Sequence, residues 1–166
     1  IVKKFISKKK VHKFANELNV VVTGDDYGRN FESSEGIRQA FEKNYIQHTS
    51  IILNKDEKDC LNLTDIDMNK VSLHINLTEG YQSFGDTNYY AYSVSKEDSI
   101  AHKEFNTRKA FYKLSPKAID VVRKEVSAQI KKYKDLGFNN LSFDSHGHIH
   151  NKLPIAKCII PIASKE

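Results

Sequence analysis

Short runs of β-branched and aliphatic residues alternate along this chain with segments whose apolar residues recur at helical spacing. The pattern predicts strands at residues 20–23, 49–53, 71–77 and 140–143, with helices between and after them. Strands that are joined through helices favour right-handed crossovers, which place the strands side by side in a parallel sheet. The alternation therefore predicts an α/β fold, in which functional side chains collect at the carboxyl ends of the strands.

The helices differ in how sharply the sequence marks them. The clearest begins at Ser115-Pro116, a capping residue followed by proline at the first helical position, and it ends before Gly137. An earlier helix is predicted to be capped by Ser33 or Ser34 and to bury an apolar face made of Ile37, Ala40, Phe41 and Tyr45. Helical spacing also predicts segments at 8–18 and 154–163, whereas residues 78–113 show no stable period and predict a long loop.

The formal charge of +5 is concentrated in the first 14 residues, which hold six lysines and no acidic residue. The rest of the chain is nearly neutral, unlike a nucleic-acid-binding protein that carries a basic face, so no nucleic acid partner is expected. We interpret residues 1–18 as a basic helical segment with solvated lysines, and a contact with nucleic acid or anionic lipid is the alternative. Residues 19–166 then form one domain.

Membrane and disulfide-rich classes are excluded by simple counts. The chain has no run of eighteen apolar residues, so no membrane-spanning helix is predicted. Its two cysteines, Cys60 and Cys158, are too few for a disulfide framework or a thiolate zinc site. Reduced thiols favour a cytoplasmic location. The chain begins at Ile1 rather than Met, so the lack of a visible leader carries little weight.

Polar side chains cluster at three of the predicted strands. Asp25 and Asp26 follow the first strand, and His74 and Asn76 occupy alternate positions of the third. Each of these alone has an ordinary structural interpretation, as a solvated turn or a hydrogen-bonded core residue. The fourth strand is followed by a run in which Asp144 and three histidines occupy alternate positions: His146, His148 and His150.

An extended backbone would direct those alternating side chains to one side of the chain. Three histidines within five residues are not typical of packing, and carboxylates with imidazoles are ligands for a borderline divalent ion. The three strand ends together predict an Asp/His/His metal site with an open coordination position, as in hydrolases that activate water.

Three segments also resemble, in the right order, motifs of a known family. Segment 22–28 (VTGDDYG) resembles the element NADDFG of the YdjC-like carbohydrate deacetylases, the family of chitooligosaccharide (diacetylchitobiose) deacetylase. Segment 72–80 (SLHINLTEG) resembles its GLHLNLTEG, and segment 144–150 (DSHGHIH) its DSHQHVH. Shorter matches lie at Gly36-Ile37, Thr49-Ser50 and Asn54. The departures are Gly24 for alanine, Tyr27 for phenylalanine and Gly147 for a longer side chain.

The resemblance implies a fold, an activity and a set of site residues. It implies a (β/α) TIM-barrel-like fold and one divalent ion, Mg²⁺ or Zn²⁺, at the top of the strands. The implied reaction removes N-acetyl groups from amino sugars such as small chitooligosaccharides. The implied metal ligands are Asp26, His74 and His146, with Asp25 as general base and His148 or His150 as general acid; the implied substrate-binding residues are Tyr27, Asn76, Thr78 and Glu79.

Tyrosines of the predicted loop are further candidates for stacking on sugar rings, namely Tyr81, Tyr89, Tyr90 and Tyr92. The expected partner is an N-acetylated amino-sugar oligosaccharide and, where the chain self-associates, a second copy in a homodimer. A complete barrel takes about 250 residues, so the domain is expected to be truncated or incomplete after its fourth recognisable strand.

Two alternatives to a deacetylase remain open. The first is another barrel metallohydrolase of the phosphoesterase type, using the same ligands; such enzymes commonly hold two metals and anion-binding Arg or Lys, and this chain has no obvious arginine clamp, although Arg29 and Arg38 lie near the first motif. The second is a non-catalytic carbohydrate-binding relative, which a shortened barrel would favour. Acetate release from chitobiose-type substrates, with and without a chelator, separates these classes.

Overall fold

The computed structural model describes residues 20–54, 63, 66–78, 83 and 113–166. The predicted basic helix at 8–18 and most of the predicted loop at 78–113 lie outside these residues, as do Cys60 and Glu79. No helix in the described ranges is both long enough and apolar enough to cross a membrane.

Four parallel strands form one sheet in which neighbours in space are also neighbours in sequence. They are β1 (Thr23–Tyr27), β2 (His48–Ile51), β3 (Val71–Ile75) and β4 (Phe143–Ser145). This confirms the predicted α/β class and the parallel sheet. Within the described residues the sheet is open, because β1 pairs only with β2 and β4 only with β3.

In the described part of the chain, three α-helices accompany the sheet: α1 (Phe31–Glu42), α2 (Pro116–Asp135) and α3 (Leu153–Ala163). The cap predicted for α1 is wrong by one turn, because the side chain of Asn30 accepts the bond from the backbone N–H of Ser33 at 2.8 Å. Ser34 instead accepts a 2.9 Å bond from the N–H of Gly28, where the chain leaves β1. Tyr45, predicted on the apolar face, lies beyond the helix and is 37% exposed.

Helix α2 follows the prediction closely. Ser115 caps it through a 3.1 Å bond from the N–H of Ala118, and Gly137 follows its end with φ of 95°. Its inner face is buried among the core side chains, and the phenolic O–H of Tyr133 donates to the carbonyl of Val71 at 2.8 Å. This bond attaches α2 to the first residue of β3, whose five residues are all buried.

The two outer strands begin later than predicted. The β-branched residues Val20 and Val21 lie before β1 and are 46% and 65% exposed. Both aspartates belong to β1 itself, and β4 begins at Phe143, which pairs with Leu73. The strand pattern therefore included residues that only lead into the sheet, and it excluded the polar residues that end the strands.

Candidate metal centre

The paired aspartates lie where β1 changes direction. The ladder between β1 and β2 runs regularly up to Gly24, and its register shifts before Tyr27. Asp26 occupies the left-handed region with φ of 71°, a conformation that aspartate tolerates better than most residues. Asp25 is exposed while Asp26 is partly buried. The regular strand geometry therefore ends at Asp26.

Gly24 allows α1 and its following segment to approach this turn. A Cβ at this position would lie 2.8 Å from the Cδ1 atom of Ile46 and 3.3 Å from Cγ1 of Ile37. The alanine that the resembling motif carries there would therefore require these side chains to shift. The departure from the motif has a local packing reason.

His74 lies in the central strand β3 and has both ring nitrogens engaged. Its side chain is 4% exposed. Nε2 lies 3.2 Å from Oδ1 of Asp26, and Nδ1 lies 2.6 Å from Oδ1 of Asp144. The hydroxyl of Ser50 in β2 lies 3.0 Å from the same Nδ1 and donates a 3.3 Å bond to Asp25.

His146 follows β4 and meets the first strand. Its Nδ1 lies 2.7 Å from Oδ1 of Asp26, and its ring lies edge-on to that of His74 with centroids 5.6 Å apart. Asp26, His74 and His146 each offer one ligand atom, and these atoms lie within 4.8 Å of one another. The structure thus brings together the three residues that the sequence selects as metal ligands.

A carboxylate and two imidazoles at this spacing are a donor set suited to a divalent ion. A second group, made of Asp25, His74 and Asp144, meets the same distance limit and shares His74 with the first. The other carboxylate oxygen of Asp26 accepts a 3.3 Å bond from Arg29.

The histidine-rich segment does not have the predicted extended shape. Residues His146–Asn151 follow a tight helical path that is kinked at Gly147 and His148, whose left-handed φ values are 63° and 54°. The expectation that three imidazoles project to one side with Asp144 is therefore wrong, because two left-handed residues interrupt the alternation. His148 is exposed, and its ring lies 6.4 Å from that of His150.

His150 is held by the end of β4. Its Nδ1 lies 2.6 Å from the hydroxyl of the buried Ser145, which also accepts a 3.0 Å bond from the backbone N–H of His150. Because a hydroxyl can donate to or accept from an imidazole, Ser145 can hold this ring in either protonation state.

The predicted substrate-binding residues occupy different environments. Tyr27 is 1% exposed and Asn76 is completely buried, while Thr78 is partly buried. Glu79 and the four loop tyrosines lie outside the described residues. Contact of these residues with a substrate stays a prediction.

Asn76 is the centre of a buried hydrogen-bond network. Its side-chain amide donates to Asn54 at 2.9 Å, and the amide of Gln129 in α2 bonds both its N–H (3.0 Å) and its carbonyl (2.7 Å). Gln129 also donates to Glu125 at 2.6 Å, and the N–H of Ser83 donates to the same carboxyl at 2.7 Å. Burial raises the pKa of Glu125.

Several of these contacts are not predicted by the sequence patterns. Ser50 and Asn54 belong to short matches with the resembling motifs, and Asp144 precedes the histidines, but the sequence predicts no contact for any of the three. Gln129 and Glu125 lie four residues apart in the clearest helix, on a face that is otherwise apolar and buried. Polar residues on such a face were the signal from which these contacts could have been predicted.

Arg38, one of the two arginines near the first motif, pairs with Glu35 on the same helix α1 at 2.8 Å.

Comparison with known proteins finds a family model and several relatives that resemble this chain. A family model described as YdjC-like protein matches residues 19–166. A carbohydrate deacetylase of Xenopus laevis is 31% identical over 137 residues, which cover 80% of this chain and 43% of the relative. The carbohydrate deacetylase of Oceanobacillus iheyensis is 27% identical over 150 residues, 89% of this chain and 62% of the relative. That of Mus musculus is 27% identical over 135 residues, 80% of this chain and 43% of the relative. The chain spans less than two thirds of the length of these relatives.

Proposed function

This chain belongs to the YdjC-like protein family, and on that premise we propose that it is a metal-dependent deacetylase that removes N-acetyl groups from amino sugars such as small chitooligosaccharides. The observation that carries the proposal is the convergence of Asp26, His74 and His146 from three separate strand ends. The relatives named carbohydrate deacetylase support the sugar substrate and the hydrolysis of an amide.

The proposed ligands are Asp26, His74 and His146. Two imidazole nitrogens and one carboxylate oxygen favour Zn²⁺ over Mg²⁺, because Mg²⁺ prefers a shell of oxygen ligands. An ion bound there would supply a Lewis acid that lowers the pKa of water and polarises the acetyl carbonyl. Arg29 supports this site by donating to the second oxygen of Asp26, which fixes the rotation of that carboxylate.

Asp25 is the proposed general base. Its carboxylate is exposed, so it is accessible to a water molecule, and the Ser50 hydroxyl orients one of its oxygens. A base positioned beside the ligand Asp26 can take the proton of the attacking water. The proton for the leaving sugar amine is then assigned to His148 or His150. Both candidates lie in the segment that follows His146: His148 is exposed, and His150 is partly buried and bonded to Ser145.

We further propose that residues 19–166 form the deacetylase domain and that its sheet is part of a (β/α) barrel. In a flat sheet, β1 and β4 would lie three strand spacings, or about 14 Å, apart. The 2.7 Å contact between Asp26 and His146 supports a carboxyl edge that curls, together with a chain that folds back after β4.

The proposal is tested by measuring acetate release from N,N′-diacetylchitobiose by the full chain. We expect turnover with added Zn²⁺, its loss with a chelator, and its recovery when Zn²⁺ is restored. His74→Ala and His146→Ala should lose Zn²⁺ binding and turnover together. Asp120→Asn is the matched control, because this exposed carboxylate on α2 pairs with Lys124 of the same helix, at 2.8 Å.

Two results would contradict the proposal. One is acetate release that persists after the ion has been removed. The other is a His146→Ala variant that binds Zn²⁺ as tightly as the unmodified chain. Turnover of a phosphate ester in place of the acetylated sugar would assign the same ligands to a different reaction.

A further inference from the structure

The two ring nitrogens of His74 have different surroundings inside the sheet. Its Nε2 is directed to the group that contains Asp26 and His146, at 3.2 Å from Asp26. Its Nδ1 is directed away from that group, to Asp144 at 2.6 Å and Ser50 at 3.0 Å. We propose that Asp144 is a positioning residue that holds the Nδ1 proton of His74, so that Nε2 is kept as the ligand atom. The catalytic meaning of this inference rests on the proposed function.

The contact of 2.6 Å requires a proton between the two atoms. Without one, a lone pair of Nδ1 would face a lone pair of the Asp144 carboxylate, and the contact would be repulsive. A carboxylate oxygen only accepts hydrogen bonds, so the proton of this contact is the one that Nδ1 donates. A bond to a charged acceptor at this distance belongs to the stronger class of hydrogen bonds.

Ser50 is consistent with the same arrangement. A hydroxyl has a single proton to donate, and the carboxylate of Asp25 lies 3.3 Å from it. With that proton directed to Asp25, a lone pair of Ser50 is free to accept from Nδ1 of His74. One chain of hydrogen bonds thus connects Asp25 on β1, Ser50 on β2, His74 on β3 and Asp144 on β4.

This position of the Nδ1 proton favours one of the two candidate metal-binding groups that share His74. One ring nitrogen cannot both donate its proton to Asp144 and coordinate an ion, so a cation held by Asp25, His74 and Asp144 would need the Nδ1 proton to be lost. The Nε2 side offers the second imidazole, from His146, whereas the Nδ1 side offers only carboxylates. Histidines that bind metals generally donate their other N–H to a carboxylate, carbonyl or water, and this fixes the ring and raises its basicity.

The first measurement needs no metal. Long-range ¹H–¹⁵N spectra of the metal-free, ¹⁵N-labelled full chain report which nitrogen of each imidazole is protonated, and the His74→Gln variant identifies the His74 signals. We expect His74 to show a protonated Nδ1. In Asp144→Ala this signal should move towards the opposite tautomer, and in Asp144→Asn it should move less, since an amide oxygen can still accept. A side chain that only supports packing would leave the tautomer unchanged.

The second measurement is the affinity for Zn²⁺ alone, by calorimetric titration. We expect Asp144→Ala to weaken binding roughly 10- to 100-fold, the range typical of such outer partners. Asp144→Asn should give a smaller loss, and Asp120→Asn should give none. His74→Ala, as a ligand variant, should abolish binding. If Asp144→Ala proves unstable to heat, the isosteric Asp144→Asn decides with the same two readouts.

Two outcomes would overturn the inference. Unchanged His74 signals and unchanged Zn²⁺ affinity in both Asp144 variants would remove the positioning role. Complete loss of Zn²⁺ binding in Asp144→Asn, with binding retained in Asp26→Asn, would mean that Asp144 is itself a metal ligand, on the Nδ1 side of His74. A wild-type chain that shows the Asp144-dependent Nδ1 signal but binds no Zn²⁺ would instead refute the proposed function and leave the positioning role intact.

Discussion

The two adjacent aspartates of β1 have different surroundings despite their identical side chains. Asp26 accepts bonds from Arg29 and contacts two imidazoles, while Asp25 is exposed and accepts from Ser50. In a regular strand two consecutive side chains point to opposite faces, and the left-handed backbone at Asp26 breaks this alternation, so that both carboxylates lie within 4.8 Å of a ring nitrogen of His74. Their separate partners, Ser50 for Asp25 and Arg29 with two imidazoles for Asp26, offset the repulsion between adjacent carboxylates.

Asp25→Asn is expected to preserve the ion and lose the reaction. The amide keeps the shape and can still accept from Ser50, but it cannot take a proton from water. Loss of a general base typically lowers the rate by a factor of about 10²–10⁴. Acetate release should therefore fall by that factor in kcat, while the Kd for Zn²⁺ measured by titration stays within about twofold.

The matched control is Asp26→Asn, which should weaken Zn²⁺ binding and turnover together. If Asp25→Asn released the ion and Asp26→Asn retained it, the base and ligand assignments would be reversed. Both variants replace one carboxylate oxygen by an amide NH₂ group, so the comparison between them does not depend on a difference in side-chain volume.

At this scale the sequence predicted the residues that converge but not their orientation. The strand ends predict an Asp/His/His site, because parallel strand ends share an edge, and the resemblance to the deacetylase motifs implies Asp26, His74 and His146 in particular. The positions of His148 and His150 were not predictable from alternation, because Gly147 and His148 adopt left-handed backbones. The bond between Asp144 and His74 joins residues far apart in sequence, so no local pattern reports it.

Helix α2 connects the core to the end of β3 through polar side chains. Gln129 bonds both backbone groups of Asn76, the residue immediately after the strand. In this way it satisfies a buried donor and a buried acceptor that lie beyond the strand. Glu125, four residues earlier on the same face of the helix, extends the network to Ser83. The helix therefore fixes the direction in which the chain leaves His74.

Glu125 should make stability depend on pH. Burial raises its pKa in the folded protein above the ordinary value of 4.5, although bonds from Gln129 and Ser83 and the charge of Lys132 oppose the shift. Its contribution to the free energy of unfolding is then complete below about pH 4.5 and is lost as the pH rises through the folded-state pKa. Glu125→Gln cannot titrate, so this part of the pH dependence should disappear.

Urea unfolding of both chains from pH 4 to pH 8 measures this effect. The stability of the unmodified chain relative to Glu125→Gln should decrease as the pH rises. Asp120→Asn changes an exposed carboxylate of the same helix and serves as the control for a substitution that leaves Glu125 in place. A relative stability that increased with pH would show that the carboxylate, rather than the carboxyl, is favoured by the fold.

The boundaries of helices and strands were predictable where residues close in sequence determine them. The cap and stop of α2 lie in the sequence at Ser115 and Gly137, and the helix ends as predicted. The start of α1 was misplaced because Asn30, Ser33 and Ser34 are all competent caps, and only the bonds that Asn30 accepts from Ser33 and Ser34 accepts from Gly28 distinguish them. Strand boundaries depend on pairing with neighbours, so β1 and β4 were displaced by about three residues.

At the scale of the whole molecule, the candidate centre connects the two outer strands of the described sheet. Asp26 belongs to β1, His74 to β3, and His146 follows β4, so the three side chains span the strand order from one edge to the other. The sequence predicted a parallel sheet because strands alternate with helices. The 2.7 Å contact between Asp26 and His146 was not predictable from that alternation, since it depends on side chains that meet only after the sheet has formed.

This arrangement leads to a prediction about the unfolding of the molecule as a whole. An ion that binds only the folded chain stabilises it by mass action, by about 2.7 kcal/mol when its free concentration is 100 times the Kd. For a domain of this size the corresponding rise in Tm is roughly 5–10 °C. Because the proposed ligands lie on both outer strands, the ion should stabilise the entire sheet, and the transition should stay single.

Calorimetric melting of the full chain in Zn²⁺ and in chelator measures the shift. His146→Ala should melt at the same temperature in both conditions, because without this ligand the ion no longer connects β4 to β1. Asp120→Asn should retain the full shift. An equal shift in His146→Ala would place the stabilising ion elsewhere on the molecule. A Zn²⁺-dependent change confined to one part of a split transition would mean that the ion holds a local segment rather than the sheet.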